Sequence, residues 1–198
     1  MSEPAEHGLT GLPPTFTYTE ARRLGVSDRR LYALRDAGLL ELIGRGLYQR
    51  ADLPAEADPD LLEIAVRAPL GTLCLTTALA RHQLTDVIPA SIDIAIPRSH
   101  RRPRLRAPVT WHAFALATFN IGRDELALSE TTSIGIYNPQ RCIIDAFRLR
   151  HTEGTEIAHE ALRRWLRRHN TQPAQLLTVA RSFPKAEPAL RAAMEILL

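Results

Sequence analysis

The sequence predicts an α+β fold made of an N-terminal helix-turn-helix with a hairpin, followed by a mixed α/β region that ends in helices. Residues 17–50 contain two short capped helical segments and a glycine turn between two strand-like runs. Residues 72–137 mix helical and strand-like patterns, and residues 139–198 carry apolar residues at helical spacing. A length of 198 residues allows two small domains, and we place them at 1–57 and 58–198. The run ADLPAEADP at 51–59 is the predicted linker.

The first helical segment is predicted over residues 20–24. Thr19 is the candidate N-cap, because its hydroxyl can accept from the free N–H groups of the first turn. Gly25 is expected to end the helix, since glycine adopts a left-handed backbone at little cost.

The second helical segment begins after Ser27, a further N-cap candidate. Leu31 and Leu34 recur at a spacing of three, Ala37 closes that apolar face, and Gly38 ends the helix. The opposite face, which carries Arg29, Arg30, Tyr32, Ala33 and Asp36, is therefore expected to face outward.

A hairpin is predicted after the second helix. Residues 39–43 and 47–49 are strand-like, and Gly44-Arg45-Gly46 between them suits a tight turn. Two capped helices followed by a hairpin are the order of a winged helix-turn-helix. The N-terminal turn of the second helix would then enter the major groove, where Arg29 and Arg30 can reach guanine edges or phosphates. Arg45 would reach a neighbouring backbone or the minor groove from the tip of the wing.

Charge agrees with this interpretation, because residues 17–50 contain seven Arg and four acids. A small helical corner with a solvated basic face is the alternative. The whole chain has 24 Arg and one Lys. This enrichment suits bidentate phosphate contact, or it reflects the base composition of the genome.

The N-terminal residues are expected to be irregular. Pro13 and Pro14 cannot lie inside a helix without breaking it. They leave little room for the helix that usually precedes a winged module. Either the module is weakened or another segment supplies the missing packing.

The second part is predicted to contain six helices and three strands. One strand, SIDIAIP, alternates apolar with polar or small residues. Helices are predicted at 61–67, 72–84, 139–149, 155–169, 172–183 and 187–198, and strands at 91–97, 109–114 and 125–137, the last interrupted near Glu130.

An Arg-rich loop covers residues 98–106, with five Arg, one His and no acid. Pro103 and the flanking prolines exclude a regular helix there. Arg101, Arg102 and Arg104 are candidates for accessory contact with phosphates or with a partner. A solvated connection between two strands explains the loop equally well.

We expect no enzyme activity, no cofactor and no metal. No His pair has metal spacing, and there is no Cys-x-x-Cys, phosphate loop or nucleophile elbow. Asp93 alone cannot hold the two Mg²⁺ ions of a nucleotidyltransferase, because the residue two positions on is Ala95. Asp93 is therefore predicted to be a surface or edge residue. The two cysteines, Cys74 and Cys142, are expected to pack as small hydrophobes.

A cytoplasmic location is expected. No apolar run approaches the roughly 20 residues that span a bilayer. The polar N-terminus, with two Glu in its first eight residues, does not resemble a signal peptide.

The chain resembles the AbiEi-type antitoxins of bacterial type IV toxin–antitoxin (abortive-infection) systems. The resemblance is carried by LGVSDRRLYALRDAGLLELIGRGLYQ, with its GRGxY wing, and by LTTALARHQL, IDIAIP, the Arg-rich loop and NPQRCIIDAFR. It covers most of residues 17–165. It implies a winged module that binds operator DNA and represses its own promoter. It also implies a second domain that counteracts a cognate nucleotidyltransferase toxin, encoded next door.

On this resemblance, Arg29, Arg30 and Tyr32 would read the major groove. The residues predicted to contact DNA are Arg22, Arg23, Ser27, Arg29, Arg30, Tyr32, Arg35 and Arg45. Repressors of this kind often bind paired half-sites, so a homodimer on DNA is one expectation. Two alternatives remain: a solitary winged-helix regulator whose second domain binds a ligand or dimerises, and a protein–protein adaptor that does not bind DNA.

Overall fold

A computed structural model describes residues 9–52, 58–129 and 132–197 of the chain. It contains helices and sheets, which confirms the α+β prediction. The described residues of Met1–Pro69, Pro103–Ala107 and Ala127–Ser133 form one compact unit, unit 1. Those of Leu70–Arg102, Pro108–Leu126 and Ile134–Leu198 form unit 2. Most of the predicted linker, at 53–57, lies outside the described residues, so the predicted division after residue 57 remains a prediction.

Unit 1 is built on a three-stranded antiparallel sheet in the order β1-β3-β2. The two predicted helices and the hairpin are present in the predicted order, and β1 was not predicted. The elements are β1 (Thr15–Thr17), α1 (Tyr18–Arg23), α2 (Asp28–Asp36), β2 (Leu40–Gly44), β3 (Leu47–Arg50) and α3 (Pro59–Arg67).

Helix α1 begins one residue before the predicted cap, so the assignment of Thr19 as N-cap is wrong. Thr17 is the N-cap: its Oγ1 accepts from the backbone N–H of Glu20 at 3.2 Å. In return, the Glu20 carboxylate accepts from the backbone N–H of Thr17 at 2.6 Å. These two bonds form a capping box, which satisfies two donors at once. The bond from the Thr17 backbone also lowers the pKa of Glu20.

Helix α2 follows the sequence prediction closely. The Ser27 hydroxyl accepts from the backbone N–H of Arg30 at 3.3 Å, while Leu31 and Leu34 are buried. Gly25 and Gly38, which follow α1 and α2, both have positive φ. These are the conformations that glycine adopts most easily, and they end each helix.

The core of unit 1 shows what replaces a preceding helix. Leu9, Leu12 and Phe16 are buried in one cluster with Leu31 and Leu34. The Phe16 ring also stacks on the Tyr48 ring at a centroid distance of 5.9 Å. The residues around Pro13 and Pro14 therefore supply the packing that a preceding helix would otherwise provide, which is the second of the two predicted possibilities.

Unit 2 contains a five-stranded sheet in the order β6-β5-β4-β8-β7. Strand β5 runs parallel to β6 and antiparallel to β4, which is parallel to β8. Its strands are β4 (Thr72–Leu73), β5 (Ile92–Pro97), β6 (Val109–Phe114), β7 (Arg123–Ala127) and β8 (Ser133–Tyr137). Its helices are α4 (Leu75–Arg81), α5 (Leu116–Phe119), α6 (Pro139–Arg148), α7 (Arg150–Glu153), α8 (Thr155–Leu166), α9 (Pro173–Ala180) and α10 (Glu187–Leu197).

Two details of unit 2 differ from the sequence prediction, and a third is not tested. The predicted helix at 72–84 is shorter, because Thr72 and Leu73 form β4 and the helix ends at Arg81. The short helices α5 and α7 were not predicted. The predicted break near Glu130 falls on residues 130–131, outside the described residues.

A buried arginine organises the interior of unit 2. Arg141 is 0% exposed, and its Nε donates to Asp145 Oδ2 at 2.9 Å. Its Nη1 donates to the carbonyl oxygens of Thr118 and Ile121, each at 2.6 Å. The guanidinium carbon lies 4.2 Å from the centroid of the Tyr137 ring, within range of a cation–π contact. Arg141 thus joins α6 to the segment around α5.

Asp145 balances two guanidinium groups in this interior. Besides its bond with Arg141, its Oδ1 lies 3.0 Å from Nη2 of Arg148. Burial raises the pKa of Asp145, although both arginines oppose this shift. The carboxylate is the counter-charge that makes burial of Arg141 tolerable.

Asp145→Ala should lower the free energy of unfolding by about 3–5 kcal/mol, because it leaves a buried guanidinium without a counter-charge. Urea denaturation followed by circular dichroism measures this change. Asp124→Ala, at an exposed position of β7, is the matched control and should change stability by less than about 0.5 kcal/mol. Equal losses in the two variants would contradict the assigned role of Asp145.

Candidate functional site

The outer face of α2 presents the predicted base-reading residues together. Arg29, Arg30 and Tyr32 are exposed, and Tyr32 is 44% exposed. Their orientation follows from burial of Leu31 and Leu34 on the opposite side of the helix. A two-turn helix thus displays two guanidinium groups near its N-terminus and one aromatic ring beside them.

Arg35 is oriented by its neighbours on the same helix. Its guanidinium carbon lies 5.1 Å from the centroid of the Tyr32 ring, and its Nη2 donates to Asp36 Oδ1 at 2.7 Å. The hydrogen bond with Asp36 raises the pKa of Arg35. Stacking and pairing fix one position for a long side chain, so less rotamer entropy is lost if Arg35 binds a phosphate.

Asp28, in the first turn of α2, joins the two helices. Its Oδ1 accepts from the hydroxyl of Tyr18 at 2.7 Å, a bond that raises the pKa of Tyr18. Arg22 approaches the same oxygen at 3.3 Å. A carboxylate at this position also interacts favourably with the N-terminal end of the helix dipole. Arg22 and Arg23 are both exposed on α1, and Arg22 is already paired with Asp28.

Sequence reasoning missed Tyr18 and Asp28. Their signal was present, since an acid in the first turn after a Ser cap is a common helix-start pattern. The partner, Tyr18, lies ten residues earlier and could not be assigned without the angle between the helices.

The tip of the β2–β3 hairpin is fastened from two sides. Arg45 is exposed, and its backbone carbonyl accepts from Nη2 of Arg67 on α3. The carbonyl of Gly46 accepts from the backbone N–H of Tyr18 at 2.8 Å. These bonds hold the backbone of the turn while leaving the Arg45 side chain exposed.

A buried carboxylate places part of the Arg-rich loop in unit 1. Glu63 is 1% exposed, and its Oε2 accepts from the backbone N–H groups of Arg106 at 2.8 Å and Ala107 at 3.1 Å. Arg106 Nη1 also donates to the carbonyl of Leu42 at 3.5 Å. Gly44 of strand β2 lies against Glu63: a Cβ at position 44 would lie 2.6 Å from Glu63 Oε1, so the Glu63 side chain would have to move.

The predicted accessory arginines, Arg101, Arg102 and Arg104, are all exposed. Arg104 belongs to unit 1, and Arg101 and Arg102 belong to unit 2. Unit 1 also exposes Arg67 and Arg106, which sequence reasoning did not assign. Their positions depend on contacts with Arg45 and Leu42 that no local pattern reveals.

Asp93 is not the surface residue that was predicted. It is 9% exposed, and its Oδ1 lies 3.0 Å from Nε2 of His112. Its Oδ2 accepts from the backbone and hydroxyl of Thr77, each at 3.3 Å. These partners lie on β6 and α4, so Asp93 connects three elements. A buried carboxylate needs such partners, which explains its position.

The described residues offer neither a metal-binding cluster nor an exposed thiol. Among them, no group of three or more His, Cys, Asp or Glu side chains could hold a metal ion. Cys74 and Cys142 are both buried, as predicted, and burial raises the pKa of each thiol well above its ordinary value. In the part of the chain that the structure describes, no helix has the length and apolar character needed to cross a bilayer.

A comparison with known protein families finds a match to the helix-turn-helix and hairpin of unit 1. Residues 12–51 match the family described as transcriptional regulator, AbiEi antitoxin. The matched segment contains β1, α1, α2 and the hairpin, and the match covers less than half of the chain. No curated protein matches the chain. The predicted resemblance to AbiEi-type antitoxins is confirmed, and it identifies a transcriptional-regulator antitoxin domain at the N-terminus.

Glu63→Ala should release residues 103–107 from α3, because the partly buried N–H of Arg106 and the buried N–H of Ala107 lose their acceptor. We expect a loss of about 1–3 kcal/mol in stability, the cost of leaving buried donors unsatisfied. The site-specific measurement is hydrogen exchange by NMR, in which the amides of Arg106 and Ala107 should lose protection. Glu41→Ala, at an exposed position of β2, is the control. Unchanged protection of both amides in Glu63→Ala would contradict this assignment.

Proposed function

We propose that this protein is an antitoxin that represses its own promoter through a winged helix-turn-helix and counteracts a cognate nucleotidyltransferase toxin. The observation that carries the DNA-binding half is the exposed face of α2. It presents Arg29, Arg30 and Tyr32 at the start of a capped helix inside the matched domain. Two guanidinium groups on the first turn suit the major groove, where Arg binds guanine in a bidentate manner.

The other elements of unit 1 have roles in this proposal. Helix α2 is the recognition helix, α1 crosses the phosphate backbone, and the β2–β3 hairpin is the wing. Arg22, Arg23 and Arg35 contact phosphates beside the recognition helix, and Ser27 offers its hydroxyl or N–H to a phosphate. Arg45 contacts the backbone or the minor groove from the tip of the hairpin.

Contacts around the hairpin support an additional basic surface. Arg67 holds the backbone of Arg45, and Arg106 holds that of Leu42, while both side chains remain exposed. We assign phosphate contact to these two residues as well. Arg101, Arg102 and Arg104 add affinity that is independent of sequence, as expected of arginines near a polyanion.

Unit 2 carries the antitoxin role in this proposal, and it counteracts the toxin directly or functionally, without catalysis. The family match indicates an antitoxin, and we assign the toxin-directed activity to residues outside the DNA-binding face. The contact between the buried Asp93 and the partly buried His112 supports a structural role for these residues, because both are engaged with neighbouring elements.

The proposal predicts that Arg29→Ala combined with Arg30→Ala abolishes preference for operator DNA. Each lost bidentate contact removes about 1–3 kcal/mol of discrimination, so the loss of both contacts should lower the preference at least about thirtyfold. The measurement is fluorescence anisotropy with upstream DNA and with scrambled DNA of equal length, across a salt series. The melting temperature should hardly change, because both residues are exposed.

The comparison variant replaces Arg101, Arg102 and Arg104 with Ala. This variant should keep the preference for the operator, and its affinity for both DNAs should fall by the same factor. The slope of log affinity against log salt should decrease in magnitude by about 0.9 for each lost phosphate contact. If the Arg29/Arg30 variant keeps its preference for the operator sequence, the assignment of α2 as the recognition helix is refuted. Equal weak binding of both DNAs by the unaltered protein would favour the adaptor interpretation.

The antitoxin half predicts rescue of growth by co-expression. A bacterium that expresses the nucleotidyltransferase toxin encoded beside this gene should stop growing, and the full chain should restore growth. The Arg29/Arg30 double variant should restore growth equally at equal protein level, because antitoxin activity is assigned to unit 2. Failure of the unaltered chain to restore growth would reject the toxin partner and leave a solitary regulator.

A further inference from the structure

Helix α8 carries a continuous stripe of charge on the side opposite the core. Residues 156, 160, 163 and 167 follow the spacing i, i+4, i+7 and i+11, which places them in one row along the helix. We call this row the α8 stripe. Arg167 extends it by serving as the C-cap of the helix. The opposite face of the helix is buried and consists of Ala158, Ala161, Leu162 and Trp165.

The order of charges along the α8 stripe is antisymmetric. Glu156 and Glu160 occupy the N-terminal half, and Arg163 and Arg167 occupy the C-terminal half. Two such helices, paired antiparallel around a point between residues 161 and 162, would bring Glu156 to Arg167 and Glu160 to Arg163. A two-fold axis repeats each contact, as an isologous interface requires.

The outermost charges of the stripe are available for a partner. Among the described residues, neither Glu156 nor Arg167 takes part in a salt bridge. The charged residues of the stripe, together with Arg164, line an open groove on the surface of unit 2. This surface therefore offers a row of charges with unused pairing capacity at both ends.

An apolar tip lies beside the middle of the stripe. Arg164 binds both carboxylate oxygens of Asp86, with Nη1 at 2.8 Å from Oδ1, and Thr85 donates to Glu160 Oε2 at 3.3 Å. These bonds fix the loop that carries Val87 and Ile88. Val87 is 43% exposed and Ile88 is 91% exposed.

Holding the Ile88 side chain exposed to water is unfavourable, but it leaves the loop already ordered for contact with a partner. The hydrophobic effect favours burial of such a side chain, and burial within a partner would recover that free energy without further loss of loop entropy. Because Glu160 and Arg164 flank the midpoint of α8, a two-fold axis at this point brings the two apolar tips to the same side of the helix pair. An apolar centre with a charged rim is the usual anatomy of a protein interface.

We propose that the α8 stripe and the Val87–Ile88 tip form an isologous interface with a second copy of this chain. The occupant is a second copy because the charge order complements itself in the antiparallel arrangement. This inference goes beyond the proposed function and does not depend on DNA binding, since it concerns contacts of unit 2 alone.

The test uses charge reversal at the two ends of the stripe. Glu156→Arg places two guanidinium groups against each other across the interface, and Arg167→Glu places two carboxylates against each other. Each variant should raise the dimer Kd at least about tenfold, because two attractive pairs become repulsive in each dimer. Sedimentation equilibrium of the full chain without DNA, from about 1 to 100 μM, measures this Kd over the range of weak protein association.

Mixing the two variants provides the decisive comparison. An equimolar mixture should form a heterodimer with a Kd close to that of the unaltered protein, because both charged pairs are again complementary. The double variant Glu156→Arg with Arg167→Glu should likewise form a homodimer. Arg181→Glu, at an exposed position after α9, is the control and should leave the dimer Kd unchanged.

Two results would overturn the proposal. One is a monomer of the unaltered protein throughout the concentration range. The other is a dimer that neither single variant weakens, or whose loss is not restored in the mixture. Ile88→Ser gives an independent measurement: it should weaken the dimer without changing the melting temperature, because Ile88 is 91% exposed in the monomer. A dimer unaffected by this substitution would exclude the apolar tip from the interface.

Discussion

The hydrogen bonds of the Glu63 carboxylate hold residues 106 and 107 in unit 1. A buried carboxylate is tolerated only when hydrogen-bond donors surround it, and the donors here come from a segment 43 residues later. That requirement draws residues 103–107 against α3, while strand β2 provides the necessary space through Gly44. The Glu63 side chain thus binds the backbone of residues 106–107 and also limits the space at position 44 of β2. Substitution at either position disturbs an arrangement that three chain segments share.

This arrangement matters for the proposed recognition of DNA because it limits the motion of the hairpin. Arg67 holds the tip through the carbonyl of Arg45, and α1 holds the same turn through the carbonyl of Gly46. A surface that is ordered before binding loses less conformational entropy on binding. The bonds involve backbone groups, so the Arg45 side chain remains exposed. Structural support and ligand contact are therefore assigned to different atoms of the same turn.

Features that depend on neighbouring residues could be predicted from the sequence, whereas features that depend on residues far apart in the chain could not. Ser27, Gly25 and Gly38 were assigned correctly because a cap or a helix stop depends on a few neighbouring residues. The true cap of α1 also had a local signal, the Thr17–Glu20 spacing of a capping box, which was overlooked in favour of Thr19. Strand β1 and the β4 segment escaped prediction because each is short and exists through pairing with distant strands. Asp93 was misplaced for the same reason, since its partners lie 16 and 19 residues away.

The excess of arginine illustrates how composition and position differ as arguments for function. Arg141 is fully buried, where its planar group contacts aromatic rings while it binds a carboxylate and two carbonyls, a combination that an ammonium group does not reproduce. Arg164 forms a two-point contact with Asp86 that fixes a loop. Both therefore have internal roles that account for arginine without any nucleic acid. A basic composition alone is weak support for DNA binding in this chain. The case depends on Arg29 and Arg30, which share the exposed first turn of a capped helix within the domain that matches a transcriptional regulator.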